Sequence, residues 1–180
     1  MAFIQTELPG VLIIEPRVFG DERGYFFESY SARVFKEAGI DVAFVQDNES
    51  KSAYGVLRGL HFQQAPHAQA KLVRAVRGNI LDVVADVQKD SPQFGRWISV
   101  ELSGENKKQI FVPRGYAHGF VTLSEEALVA YKCDNFYQPA AEDGVRYDDE
   151  TLAIDWRLSA GDIRLSEKDA RLPFLHQRIA

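Results

Sequence analysis

Two histidines sit inside apolar runs of this chain. His61 lies in Val56-Leu57-Arg58-Gly59-Leu60-His61-Phe62, and His118 in Pro113-Arg114-Gly115-Tyr116-Ala117-His118-Gly119-Phe120. Burying a polar group without a partner is costly, so each histidine either hydrogen-bonds within a core or faces a pocket. Imidazole changes protonation near neutral pH and is the usual general acid–base group. In Ala70–Val76, strand alternation puts Lys71, Val73 and Ala75 on one face and Leu72, Arg74 and Val76 on the other. Each face carries one cation, so the pattern leaves open which points inward. In Ala127–Asn135, Val129, Tyr131 and Cys133 share a face opposite Lys132 and Asp134. Tyr131 therefore turns inward, with a phenol that either donates a proton or finds a backbone partner. Ser166, followed three residues later by Asp169, forms a helix-start pattern, so Asp169 reads as a capping residue or as a free carboxylate. Asp82 and Asp86 share a face with Ile80 and Val84; one of them orients a pocket group, or both lie on a solvated face.

The elements that must position these groups are short. Apolar runs rich in Val, Ile and aromatics predict strands at Val11–Glu15, Tyr25–Ser29, Val42–Gln46, Val56–Phe62, Lys71–Val76, Ile80–Val87, Trp97–Leu102, Gln109–Val112, His118–Leu123 and Ala127–Asn135. Turn signals such as Pro9-Gly10, Gly20-Asp21, Gly78-Asn79, Ser103-Gly104 and Arg114-Gly115 separate them. Many short strands with frequent turns indicate an all-β sandwich or barrel. One short helix is predicted at Ser31–Ala38, with Ser31 as N-cap and Gly39 just past its end. Asp149–Ala153 and Ser166–Ala170 are each predicted to form a turn or two. Arg58 and His61 are an odd number of residues apart and would face opposite sides of a flat strand. If both reach one pocket, a bulge or twist must intervene, and Gly59 is its natural place.

Composition bounds the reading. The chain has 180 residues, 46% hydrophobic and 26% charged, with a net charge of −5. These values exclude intrinsic disorder. They predict one domain spanning 1–180, with a core at about 11–135 and a packed, more polar tail at about 136–180. No long Lys/Arg run provides the basic face that duplex binding needs, so no nucleic-acid partner is expected. A single cysteine, Cys133, excludes an internal disulfide framework and a multi-cysteine zinc site. The first sixteen residues lack the basic start and long apolar core of a signal peptide, and no apolar run approaches the ~20 residues of a membrane span. A soluble protein in the reducing cytoplasm is expected.

The turn Pro113-Arg114-Gly115-Tyr116-Ala117-His118 resembles the second motif of the cupin β-barrels, P-x-G-x-x-H. Metal-binding cupins also need a His-x-His pair and a nearby Glu. Here Phe62 and Gln63 follow His61, and His67 stands six residues on in a proline-containing loop, so no metal is expected.

With these segments assembled, the chain closely resembles the dTDP-4-dehydrorhamnose 3,5-epimerases from about Val11 to Pro173. The resemblance is carried by Asp21-Glu22-Arg23-Gly24-Tyr25-Phe26-Phe27-Glu28, Phe44-Val45-Gln46-Asp47-Asn48-Glu49-Ser50, Arg58-Gly59-Leu60-His61-Phe62-Gln63 and Ala68-Gln69-Ala70-Lys71-Leu72-Val73. It continues through Ser91-Pro92-Gln93-Phe94-Gly95, Pro113–Phe120, Tyr131-Lys132-Cys133, Tyr137-Gln138-Pro139, Glu142, Ala153-Ile154-Asp155-Trp156 and Leu165-Ser166-Glu167-Lys168-Asp169. It implies a cupin-type jelly-roll β-barrel with a few short helices, a homodimer, no cofactor, and inversion of C3 and C5 of a dTDP-linked 4-keto-6-deoxy sugar. It also implies roles. His61 is the base, Asp169 its carboxylate partner, Lys71 the cation at the C4 oxygen and Tyr131 the acid on the other face. Arg23, Arg58 and Lys168 would anchor the diphosphate, and Tyr137 would stack on thymine. Glu28, Gln46, Asp47, Asn48, His118 and Glu142 would contact nucleotide or sugar, with part of the Arg23–Glu28 region coming from a partner subunit. Tyr147, where the family often has Trp, and Arg157, where Pro is frequent, depart from the pattern outside these motifs and bear on the tail's packing.

Overall fold

The structure, a computed structural model, describes residues 1–178. Its strands in chain order are β1 (Ala2–Gln5), β2 (Leu12–Glu15), β3 (Phe19–Asp21), β4 (Gly24–Phe26), β5 (Gln46–Ala53), β6 (Leu57–Gln63), β7 (Lys71–Arg77), β8 (Asn79–Asp86), β9 (Trp97–Ser103), β10 (Gln109–Val112), β11 (Tyr116–Thr122), β12 (Glu126–Cys133) and β13 (Glu142–Gly144). One helix, α1 (Ala32–Glu37), and short 3-10 turns at Pro139–Ala141, Asp169–Arg171 and Leu175–Arg178 complete the elements. Two antiparallel sheets face each other in a jelly roll. One has the order β1-β2-β10-β7-β12-β5 and the other β13-β6-β11-β8-β9, while β3 and β4 form a separate hairpin.

Strand alternation explains three apolar layers. Val73, Ala75, Ile80, Val84, Ile110, Phe120 and Val129 fill the space between the sheets. Leu81, Val83, Ala85, Ala117 and Val121 point out of the five-stranded sheet and are covered by the tail through Val145, Leu152, Trp156 and Leu175. Leu12, Ile14, Leu72 and Phe111 point out of the six-stranded sheet and are covered by Phe35 of α1, Ile40 and their neighbours. The tail is pinned to β9 by the indole N–H of Trp97, which donates to Leu152 O at 2.7 Å, and is held to itself by the Trp156 indole N–H, which donates to Tyr147 O at 2.8 Å. Arg157 has φ +58, which proline's ring forbids, so its departure from the family pattern matches its own backbone.

The structure corrects several expectations. Val42–Gln46 is not a strand; the strand begins where that apolar stretch ends, over Gln46–Ala53. Of Tyr25–Ser29 only Tyr25 and Phe26 are in a strand, which spans Gly24–Phe26. The helix covers Ala32–Glu37, and Ser31 occupies the N-cap position without a side-chain capping bond. Asp149–Ala153, by contrast, forms a single turn within the one or two expected, closed by Ala153 N–H to Asp149 O at 2.8 Å. The strands Ala2–Gln5, Phe19–Asp21 and Glu142–Gly144 lack enough alternating apolar residues to announce themselves.

Candidate active site

A cavity of about 480 Å³ opens between the sheets, lined by Arg58, His61, Lys71, His118, Tyr131, Lys168 and Asp169 among others. A smaller one of about 110 Å³ adjoins it and shares His61, Lys71 and Tyr131 with Gln46, Asn48, Tyr137 and Glu142. The two histidines are cross-strand neighbours, since His61 on β6 pairs with His118 on β11. The ladder then slips. Phe120 pairs with Arg58, so two steps on β11 match three on β6. This is the bulge the odd spacing required, and it turns Arg58 and His61 into the same cavity. Gly59 sits within it at φ +132, where a Cβ would stand 2.6 Å from the Cα of Gly119. Neither a side chain nor an ordinary backbone would fit.

His61 Nε2 lies 2.6 Å from Asp169 Oδ1. An ionised carboxylate only accepts, so Nε2 carries the proton and the lone pair of the neutral ring is on Nδ1. Burial works to raise the Asp169 carboxyl, but the His61 hydrogen bond and charge, with Ser166 and the Gly59 N–H, outweigh it and leave the pKa lowered. Ser166 Oγ accepts the Asp169 N–H at 3.0 Å, so Ser166 does the capping and the Asp169 side chain is free for His61. His118 donates through Nε2 to both oxygens of Asp82, at 3.0 and 2.9 Å. Asp82 is fully buried, and burial raises its pKa. The solvated-face alternative for Asp82 and Asp86 is therefore wrong. Asp86 is also buried and accepts the Gln88 N–H at 3.0 Å.

The facing sheet supplies the cation and the phenol. On β7 the inward cation is Lys71, while Arg74 lines a groove on the outer face. The start of β7 is held by Ala70 N–H to Asp134 Oδ1 at 2.7 Å, and Arg114 Nε donates to the other oxygen of Asp134 at 2.8 Å. Burial lowers the Lys71 pKa, against the opposing pull of Cys133, Asp82 and Glu142. Tyr131 faces inward beside Val129 as alternation predicts, and burial raises its pKa. His61 and Tyr131 thus project from opposite sheets into one cavity.

A polar network borders the smaller cavity. Lys168 Nζ lies 2.5 Å from Glu142 Oε2, and the Tyr137 hydroxyl donates to the same carboxylate. Gln46 Oε1 accepts the Tyr137 N–H at 3.0 Å, and Gln46 Nε2 donates to Asn48 Oδ1 at 3.0 Å. Gln63 supports the segment carrying Tyr137, accepting the Gln138 N–H at 2.7 Å. Tyr137 is half exposed.

Three expected contacts are not brought to this cavity. Asp47 alternates with Gln46 and Asn48, so it points out of the sheet and pairs with Lys132 at 2.6 Å. Arg23 is exposed on the β3–β4 hairpin and paired with Asp21. Glu28 is exposed just beyond that hairpin. Sequence reasoning also passed over Ser50, whose Oγ is buried without a hydrogen-bond partner among the described residues and lines the larger cavity. Ser50 lies in a polar stretch with no apolar periodicity, and only its place at the end of the Phe44–Ser50 motif marked it, with no role attached. Among the described residues, no three His, Cys, Asp or Glu side chains are grouped to hold a metal ion.

Known proteins resemble this chain over nearly its whole length. The family model described as dTDP-4-dehydrorhamnose 3,5-epimerase matches residues 5–177. An enzyme of that name from Salmonella typhimurium is 53% identical over 180 residues, covering 99% of this chain and 98% of its own. The crystal structure of dTDP-4-dehydrorhamnose 3,5-epimerase from Elizabethkingia anophelis superposes with a TM-score of 0.94 at 51% identity, covering 99% of this chain and 98% of that one. A Legionella pneumophila dTDP-6-deoxy-D-glucose-3,5-epimerase, solved in complex with dTDP-4-keto-L-rhamnose, superposes with a TM-score of 0.93 at 48% identity, covering 97% and 93%.

Proposed function

Since this chain belongs to the dTDP-4-dehydrorhamnose 3,5-epimerase family, with its cupin-type jelly roll, we propose that its inter-sheet cavity inverts two carbons of one sugar with residues of its own. The reaction converts dTDP-4-dehydro-6-deoxy-D-glucose to dTDP-4-dehydro-L-rhamnose, a step of dTDP-L-rhamnose biosynthesis. The observation that carries the assignment of roles is the opposition of His61 on β6 and Tyr131 on β12 across one cavity. Epimerisation requires a proton to leave one face of a carbon and another to arrive on the opposite face.

Both C3–H and C5–H are acidified by the C4 ketone. His61 removes the proton through Nδ1 while Asp169 holds Nε2–H and stabilises the imidazolium that forms. The enolate oxygen develops negative charge and is met by Lys71. A positioned donor of this kind is typically worth ~3–4 kcal/mol. Because burial lowers the Lys71 pKa, its ammonium is also a stronger acid toward that oxygen. Tyr131 then gives its proton to carbon from the other side. A phenol is a weak acid, but an enolate beside it is a stronger base, so donation is downhill. His118, fixed by Asp82, stands beside His61 and contacts the sugar.

In this reading Arg58 and Lys168 hold the diphosphate, Tyr137 stacks on thymine, and Gln46, Asn48 and Glu142 contact the nucleotide or sugar. Arg23 and Glu28 serve the cavity of a second copy, making the protein a homodimer. The exposed apolar side chains Val18, Phe19, Tyr25 and Phe26 on that hairpin support the pairing, being suited to cover rather than to water. The chain is read as one domain acting in the cytoplasm on a soluble sugar nucleotide, without a cofactor or metal. Activity is expected to survive exhaustive chelation; loss on chelation with recovery on adding a divalent ion would overturn the metal-free reading.

The test is incubation with dTDP-4-keto-6-deoxyglucose in deuterated water. Deuterium at both C3 and C5, with dTDP-L-rhamnose formed once an NADPH-dependent 4-reductase is added, is expected. Incorporation at one carbon alone would mark a single-carbon epimerase, and binding of dTDP without exchange a sugar-nucleotide sensor.

A further inference from the structure

We infer that Arg164 is a second guanidinium at the mouth of the inter-sheet cavity, acting with Arg58 on the diphosphate of the bound sugar nucleotide. This rests on the substrate class proposed above and assigns a binding role to a residue outside the motifs of the resemblance.

Arg164 lies in the tail, yet its backbone is built into the sheet. Its N–H donates to Gly55 O at 2.8 Å, and its carbonyl accepts the Leu57 N–H at 2.9 Å. These two bonds bracket Val56, with which Arg164 forms a parallel bridge at the entrance of β6. The approach is tight. A Cβ on Gly55, itself at φ +77, would stand 2.0 Å from Asp162 O. Glycine at 55 therefore allows the 162–164 segment to lie against the strand. Arg164 lines the cavity together with Val56 and Arg58. Five residues on, the same segment delivers Asp169 to His61, so one stretch of backbone sets both the dyad and the rim.

The charges around Arg164 point to an anionic occupant. Among the described residues, Arg164 has no ion pair and no side-chain hydrogen bond. Arg58 has no carboxylate either, donating only to Ser52 Oγ at 3.1 Å and Lys51 O at 3.3 Å. Exposed basic residues elsewhere are of both kinds: Lys51, Arg77, Arg157 and Arg171 are paired with Glu126, Glu101 and Glu167, whereas Arg33 and Arg96 have no ion pair among the described residues but line no cavity with a second arginine. In a protein of net charge −5, two unneutralised guanidiniums on one rim form a local positive site. Guanidinium geometry suits the bidentate recognition of phosphate oxygens. The chemistry recognised is therefore a nucleoside diphosphate rather than an uncharged sugar or base.

The experiment measures dTDP and thymidine binding by calorimetry on the full chain, for the unmodified protein and for Arg164→Gln, Arg164→Ala and Arg157→Gln. Both Arg164 variants are expected to weaken dTDP about five- to tenfold and thymidine by less than twofold. They should also flatten the dependence of dTDP affinity on ionic strength, because one screened attraction is gone. Arg157→Gln removes the same charge from the tail, where Arg157 pairs with Glu101, and should leave the dTDP affinity unchanged. Unaltered dTDP affinity in both Arg164 variants, or an equal loss of thymidine affinity, overturns the inference while leaving the substrate reading intact. Failure of the unmodified protein to bind dTDP overturns both.

Discussion

At the scale of single residues, the division of labour between Tyr131 and His61 is separable by experiment. Tyr131→Phe keeps the inward ring beside Val129 and removes only the proton donor. Proton removal by His61 should persist, while the enolate, lacking its acid, is quenched on its original face. In deuterated water the variant should incorporate solvent hydrogen with retained configuration, and inversion should fall about 10²-fold or more, most at C5, where the resemblance places this phenol. Equal loss of exchange and inversion would give Tyr131 a part in proton removal instead. Lys71 poses a conflict between function and stability. Burial lowers its pKa, so the folded protein binds its proton less tightly than the unfolded chain. Stability then rises with pH between the lowered folded pKa and the ordinary ~10.4 of lysine. Lys71→Met should abolish activity yet stabilise the fold at pH 7 by about 1–2 kcal/mol, a melting increase of roughly 3–6 °C. That gain should shrink as the pH climbs toward 10. A variant less stable than the parent at pH 7 would show that the attraction of Asp82 and Glu142 outweighs the burial cost.

At the scale of elements, the bulge in β6 is the device that makes the site. Without it Arg58 and His61 would face opposite sides of the sheet, and its fit depends on two facing glycines. A Cβ at Gly59 meets Gly119 Cα at 2.6 Å, and one at Gly119 meets Arg58 O at 2.7 Å. Gly59→Ala should cost about 2–3 kcal/mol from close contact and positive φ together, lowering the melting temperature by roughly 5–10 °C. Activity assayed well below the melt should drop further, because β6 must realign. Unchanged melting and unchanged kcat would mean the strand pair has slack. The edge strand β5 teaches a different lesson. Its inward residues Gln46, Asn48, Ser50 and Ser52 are polar, as are Asp47, Glu49 and Lys51 on its outer face. The two polar faces hid the strand from any hydrophobic pattern, and the apolar Val42–Val45 drew the expectation to the wrong place. Those apolar residues instead belong to the layer over the outer sheet face, where Val42 and Phe44 pack.

At the scale of the whole molecule, Arg23 and Glu28 lie outside the cavity of their own chain, and the dimer reading requires them in the partner's. Co-expression of Arg23→Ala with His61→Ala chains tests this. Each variant alone should be nearly inactive. A mixed dimer regains one complete site, and random pairing should restore about a quarter of the parental activity. No recovery in demonstrably mixed dimers would place Arg23 in its own subunit's chemistry or outside it. The sequence by itself determined the all-β architecture, most strand positions and the inward face of Tyr131, and it placed at Gly59 the bulge or twist that a pocket shared by Arg58 and His61 would need. These follow from local sterics and the two-residue period of a strand, which act over a few neighbouring residues. It left open whether Lys71 or Arg74 points inward, whether Asp169 caps a turn or serves His61, and whether Asp82 is solvated. Each of those depends on groups far apart in the chain: His61 and Asp169 are 108 residues apart, and His118 and Asp82 are 36. Only packing one sheet against the other, and the tail against both, brings such pairs within hydrogen-bond reach. Tertiary structure therefore decided the site, because its bonds join elements that no local pattern connects.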